Sequence, residues 1–82
     1  MVTILFFARL REQLSCEKTQ LEITAPATIG HVRDLLILKN PHWAEFLNSG
    51  SLLVALNQTM AKVSQIVSDG DELAFFPPVT GG

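Results

Sequence analysis

Ser68-Asp69-Gly70-Asp71-Glu72-Leu73-Ala74-Phe75-Phe76-Pro77-Pro78 reads as a turn, a strand and a stop. Serine and aspartate side chains bond to nearby backbone, and glycine accepts a positive φ, so residues 68–71 carry the strongest turn signal in the chain. Residues 72–76 then alternate. Glu72 marks the outer side, so Ala74 and Phe76 share its face, while Leu73 and Phe75 turn inward. Pro77 and Pro78 have no N–H to donate and must end the ladder.

Residues 2–7 at the other end form a second apolar strand, rich in β-branched and aromatic residues. Thr3 marks its polar side, which places Thr3, Leu5 and Phe7 on one face and Val2, Ile4 and Phe6 on the other. Good helix formers fill residues 8–14, and Leu10 and Leu14, four apart, share the inner face of a short helix. Residues 17–23 alternate as a half-exposed strand, with Thr19, Leu21 and Ile23 on one side. Thr28 is placed to N-cap the main helix, residues 29–39, whose core stripe is Ile29, Val32, Leu35 and Leu36. Ile37 and Leu38 make that stripe wider than a surface helix needs. Asn40-Pro41 ends the helix and opens a shorter one over residues 42–47. A nearly continuous apolar run at 52–57 reads as a central strand. Gln58-Thr59 reads as a turn, and 60–63 as a short return strand.

The order is strand, strand, long helix, then three strands. The first and last strands can lie side by side and parallel in the middle of a mixed sheet, with the helix across one face. That is an α+β layout of the β-grasp, ubiquitin-like kind, with about five strands. It gives a domain over residues 1–76 and an extended C-terminal tail over 77–82.

Composition narrows the function classes. An 82-residue chain buries only about 60–65% of the surface its unfolded form exposes. Yet 48% of its residues are hydrophobic and 17% charged, so some apolar surface is left to face a partner. The six cations are scattered and the net charge is −2, against the clustered basic stripe expected of a nucleic-acid binder. Cys16 is the only cysteine, which excludes an internal disulfide and a cysteine-cluster zinc site and suits a reducing cytoplasm. The apolar N-terminus lacks a basic flank and a cleavage site, so it reads as strand and not as signal peptide. No run approaches the ~18–20 apolar residues of a membrane span.

Residues 1–76 hold no familiar catalytic constellation. His31 and His42 sit in separate helical segments, Asp69 and Asp71 are accounted for by turn chemistry, and Cys16 reads as a small hydrophobe. There is no phosphate loop, metal-spaced cluster or nucleophile elbow. The tail differs. Gly81-Gly82 offers a bare carboxylate on residues slim enough to thread a narrow channel. Pro77-Pro78 biases the exit towards an extended form. From Pro77 to Gly82 the chain reaches at most about 20 Å, at roughly 3.3 Å per residue.

The run from Gly70 to Gly82, with Phe75-Phe76-Pro77-Pro78-Val79-Thr80-Gly81-Gly82 at its end, closely resembles the C-terminus of the small subunits of molybdopterin synthase. Leu5-Phe6-Phe7-Ala8 with Arg11-Glu12 resembles the start of that family, and Leu56-Asn57-Gln58-Thr59 its middle. The resemblance spans essentially the whole chain. It implies a sulfur carrier with no acid, base or metal of its own. An adenylyltransferase similar to ubiquitin-activating enzymes would use ATP to adenylate Gly82. A thiocarboxylate would then form there and donate sulfur to cyclic pyranopterin monophosphate in the large synthase subunit, with two small and two large subunits assembled and the catalytic residues on the large one. No cofactor would be bound by the small chain itself. For docking, the resemblance points to Phe7, Arg11, Met60 and Phe76, and strand alternation places Phe7 and Phe76 as exposed aromatics beside the tail exit. Pro77, Pro78, Val79 and Thr80 would lead Gly81 and Gly82 into the partner. Other readings stay open: a thiamine-pathway sulfur carrier, which lacks the Phe-Phe-Pro-Pro signature, a ubiquitin-like protein modifier, or a plain β-grasp binding module.

Overall fold

Strand β1 (Val2–Phe6) runs parallel to the last strand, β7 (Glu72–Phe76), with Ile4 opposite Leu73 and Phe6 opposite Phe75. A parallel pair cannot be closed by a hairpin, so the chain between them must cross one face of the sheet. The computed structural model describes residues 1–78. Antiparallel β2 (Lys18–Leu21) flanks β1, and antiparallel β4 (Leu53–Leu56) and β5 (Thr59–Ala61) extend the other side. The sheet order is β2-β1-β7-β4-β5, the mixed five-stranded β-grasp sheet expected from the pattern.

Helix α2 (Ile29–Lys39) crosses one face of this sheet. The Thr28 hydroxyl accepts the His31 N–H at 3.1 Å, the N-cap read from the sequence. Val2, Ile4, Phe6, Leu73, Phe75 and Val54 of the sheet pack against Ile29, Val32 and Leu36 of α2 and Leu10 and Leu14 of α1 (Ala8–Leu14). Among the described residues no polar or charged side chain is buried in this core. Helix α1 ends in a Schellman motif. The Cys16 N–H reaches back to Arg11 O and the Ser15 N–H to Glu12 O, with Ser15 itself at φ 52°.

Four details depart from the sequence reading. The segment expected to be one helix over 42–47 divides into a 3-10 turn, Pro41–Trp43, and α3 (Ala44–Leu47). The Trp43 N–H bonds to Asn40 O, three residues back, which tightens the turn. The buried Trp43 ring meets Phe6 edge-on, centroids 5.3 Å apart. The β4–β5 loop is Asn57-Gln58, not Gln58-Thr59, with φ 49° and 69°. A two-residue hairpin of this twist needs positive φ at both positions, and shifting it by one would put β-branched Thr59 in that strained region. The strand expected over 17–23 is only Lys18–Leu21. A second, two-stranded sheet joins β3 (Ala27–Thr28) to β6 (Ile66–Val67), with strands too short to show a period. That segment matters nonetheless, because the Gln65 and Val63 carbonyls accept the N–H groups of Ile29 and Gly30 at the start of α2.

Candidate docking face and chain exit

All three helices and the core lie on one side of the five-stranded sheet, so the other side is open among the described residues. Register decides what stands there. Met60 pairs with Ala55, Ala55 with Ala74, and Ala74 with Leu5, which makes one apolar row across four strands. Strands about 4.8 Å apart make that row about 14 Å long. Leu53 and Phe76 form the next row. Small alanines in the middle and larger residues at the rim leave a depression of about 600 Å³, lined by Leu5, Phe7, Ala8, Ala55, Gln58, Glu72, Ala74, Phe76 and Pro77.

Phe7 is 46% exposed. Its N–H bonds to Phe75 O, which continues the β1–β7 ladder one residue past β1. Ala8 then takes a left-handed φ of 55°, a conformation that costs an L-residue about 1–2 kcal/mol. This sharp change of direction starts α1 and leaves the Phe7 ring on the open face. Phe76 faces the same way but is half-buried, so the expectation of two freely exposed aromatics holds for Phe7 and is corrected for Phe76. Its strand is interior and it packs between the rims contributed by β1 and β4, whereas Phe7 stands past the end of a strand.

The expected docking residues therefore divide. Phe7, Phe76 and Pro77 share the depression. Met60, 58% exposed, lies on the same face on the edge strand and extends it without lining the hollow. Arg11 stands on α1, outside the depression, with Nη1 3.9 Å from a Glu17 carboxylate oxygen. That pair is solvent-exposed and adds little to stability. Pro77 and Pro78 also border a more polar groove of about 590 Å³ with Arg9, Gln13, Glu45 and Ser49, so the chain leaves the domain between an apolar and a polar hollow. Val79, Thr80, Gly81 and Gly82 lie outside the described residues. Gln58 and Ala8 were missed as face residues, because one was read as a turn and the other as the start of a helix, and neither has a strand period.

At the far end of β7 the Asp71 carboxylate accepts the Ser68 N–H at 2.8 Å and the Asn57 side-chain amide at 3.1 Å. These bonds, Ser68 first, favour the ionised form and hold its pKa below the ordinary aspartate value. Asp69 pairs with the Met1 ammonium group, an interaction beyond the turn chemistry read for it. Cys16 is half-buried, with Sγ 3.5 Å from Lys18 O. Among the described residues no His, Cys, Asp and Glu side chains gather as a metal site, and no helix is long and apolar enough to cross a membrane.

Comparison with known proteins agrees with this geometry. A family model described as the ThiS family matches residues 4–82. The molybdopterin synthase sulfur carrier subunit of Haemophilus influenzae is 49% identical over 82 residues, covering all of both chains. Its counterpart in Escherichia coli is 42% identical, again over the full length of both. Among solved structures, SAMP1 from Haloferax volcanii superposes with a TM-score of 0.83 at 28% identity, covering 99% of this chain and 98% of that one. The chain belongs to the ThiS family and groups within it with the molybdopterin synthase sulfur carrier subunits.

Proposed function

We propose that this chain carries sulfur on the carboxyl group of Gly82 and donates it as the small subunit of a molybdopterin synthase. The observation that carries the reading is the joining of two features. An open apolar face runs up to Pro77, and from Pro77 the sequence continues only through slim or short side chains to Gly81-Gly82. A reach of at most about 20 Å from Pro77 obliges any active site that takes the carboxylate to sit close to that face.

The chemistry follows from the weakness of a carboxylate as an electrophile. In an activating, ubiquitin-activating-enzyme-like adenylyltransferase, a Gly82 oxygen attacks the α-phosphorus of ATP and pyrophosphate leaves. A sulfide-level nucleophile, hydrosulfide or its equivalent, then displaces AMP from the acyl carbon and leaves a thiocarboxylate. In the large synthase subunit the thiocarboxylate sulfur bonds to a carbon of cyclic pyranopterin monophosphate and displaces an oxygen substituent there. Water then cleaves the resulting thioester, which leaves the sulfur on the substrate and regenerates the carboxylate. The catalytic residues belong to the large subunit, with two small and two large chains in the assembly. This chain supplies the sulfur, its delivery arm and the docking face, and binds no cofactor. The location is the cytoplasm, where one free cysteine stays reduced.

Reconstitution tests this reading. The thiocarboxylated protein with the large subunit should convert cyclic pyranopterin monophosphate to molybdopterin, and protein lacking Gly82 should fold normally and give none. Molybdopterin formed by the truncated protein would refute it. The likeness to SAMP1, a small archaeal modifier protein by name, supports a second reading as a protein modifier. Isopeptide-linked adducts of this chain in cell extract, in place of a free thiocarboxylate, would favour that one.

A further inference from the structure

Asn57 ends β4 with its backbone already left-handed, at φ 49°. Its N–H still donates to Glu72 O at 2.8 Å, one rung beyond the Leu56–Leu73 pair. In a regular antiparallel rung the Asn57 carbonyl would accept the Glu72 N–H in return. Here the side-chain Oδ1 takes that place, at 2.9 Å. The same amide donates from Nδ2 to Asp71 Oδ1 at 3.1 Å, and Asp71 Oδ2 accepts the Ser68 N–H. One side chain thus completes the last β4–β7 rung and ties the β4–β5 turn to the turn that launches β7.

The consequence falls on β5. It is one of the two edges of the sheet, paired only with β4 and over only three residue pairs, so its placement depends on the turn. Met60 rides on that strand, and Gln58, the other positive-φ residue of this turn, lines the depression. Asparagine meets all the demands at this position. Glycine supplies the φ without the amide. Aspartate keeps an acceptor but sets a second carboxylate against Asp71. Glutamine carries its amide one methylene past the rung.

We propose that Asn57 is a positioning residue for partner recognition: it locks the β4–β5 turn so that Gln58 and Met60 complete the open edge of the apolar face. This rests on the docking face proposed above. The test is a double-mutant cycle read by titration with the large subunit of molybdopterin synthase. M60A should weaken binding about tenfold in the wild-type background, the scale of a moderate hot spot. In the N57G background it should weaken binding less than about threefold, because the edge it would remove is no longer held in place. F7A is the control and should cost the same in both backgrounds, which shows that the rest of the face is intact and that the change is confined to the β5 edge. Should N57G fail to give a dispersed amide spectrum, N57A carries the same cycle, since it too removes both the acceptor for the Glu72 N–H and the donor to Asp71. Equal M60A effects in both backgrounds, with F7A still weakening binding, would overturn the role of Asn57 alone. No effect of either M60A or F7A on the wild type would overturn the docking face itself.

Discussion

Replacing Phe7 with alanine isolates the docking face from the fold. An aromatic side chain can bury about 200 Å², and Phe7 is 46% exposed, so a partner can cover roughly 90 Å² of it. At ~25 cal/mol per Å² that cover is worth about 2.3 kcal/mol, or roughly fortyfold in affinity at ~1.4 kcal/mol per tenfold. Under the proposed function the large synthase subunit and the activating enzyme take the same carboxylate, so both would sit within reach of the same exit and Phe7→Ala should weaken both by that order. The fold should suffer less than from Phe6→Ala. Phe6 is fully buried between Phe75 and Trp43, and its loss opens a core cavity at about 3–5 kcal/mol. The assay is calorimetric titration of each variant against each partner, with thermal melts alongside. Unchanged affinity for both partners, or a ternary complex holding both at once, would refute the shared-face argument.

Two further outcomes follow from the site. Cys16→Ser should be thiolated by the activating enzyme as well as the wild type, because the sulfur is carried on the C-terminal carboxyl and Cys16 only packs near Lys18 O; loss of thiolation, read by intact mass, would contradict that. Acid stability should report Asp71. Folding favours its ionised form, so the stabilisation is complete above the unfolded value of 3.8 and is lost as pH falls through the lowered folded value. Between about pH 5 and about pH 2 the wild-type melting temperature should therefore fall more steeply than that of Asp71→Asn, and parallel slopes would contradict the assignment.

The parts of this molecule that were legible from sequence are those with a period or a chemical stop. Helix α2 and strand β7 have the expected bounds because Thr28, Asn40-Pro41, Ser68-Asp69-Gly70-Asp71 and Pro77-Pro78 punctuate them chemically. The inward set Val2, Ile4, Phe6, Leu73 and Phe75 followed from period two alone. What escaped had no local signature. The β3–β6 pair has two residues per strand, and its partners lie far apart in sequence. Trp43 takes its place from contact with Phe6 across the core, not from its neighbours. The partial burial of Phe76 depends on β4 arriving beside it, which alternation along β7 cannot report. Asn57 reads in sequence as the last residue of the central strand, because the rung its side chain completes is made with Glu72, fifteen positions away.

Intact-mass spectrometry after incubation with the activating enzyme, ATP and a sulfur donor tests the sulfur-carrier claim most directly. The protein should gain the mass difference between sulfur and oxygen, the gain should map to the C-terminal peptide ending at Gly82, and it should be absent without ATP or when Gly82 is deleted. An unchanged mass under conditions that thiolate a known carrier, or a gain that maps to Cys16 instead, would contradict the account.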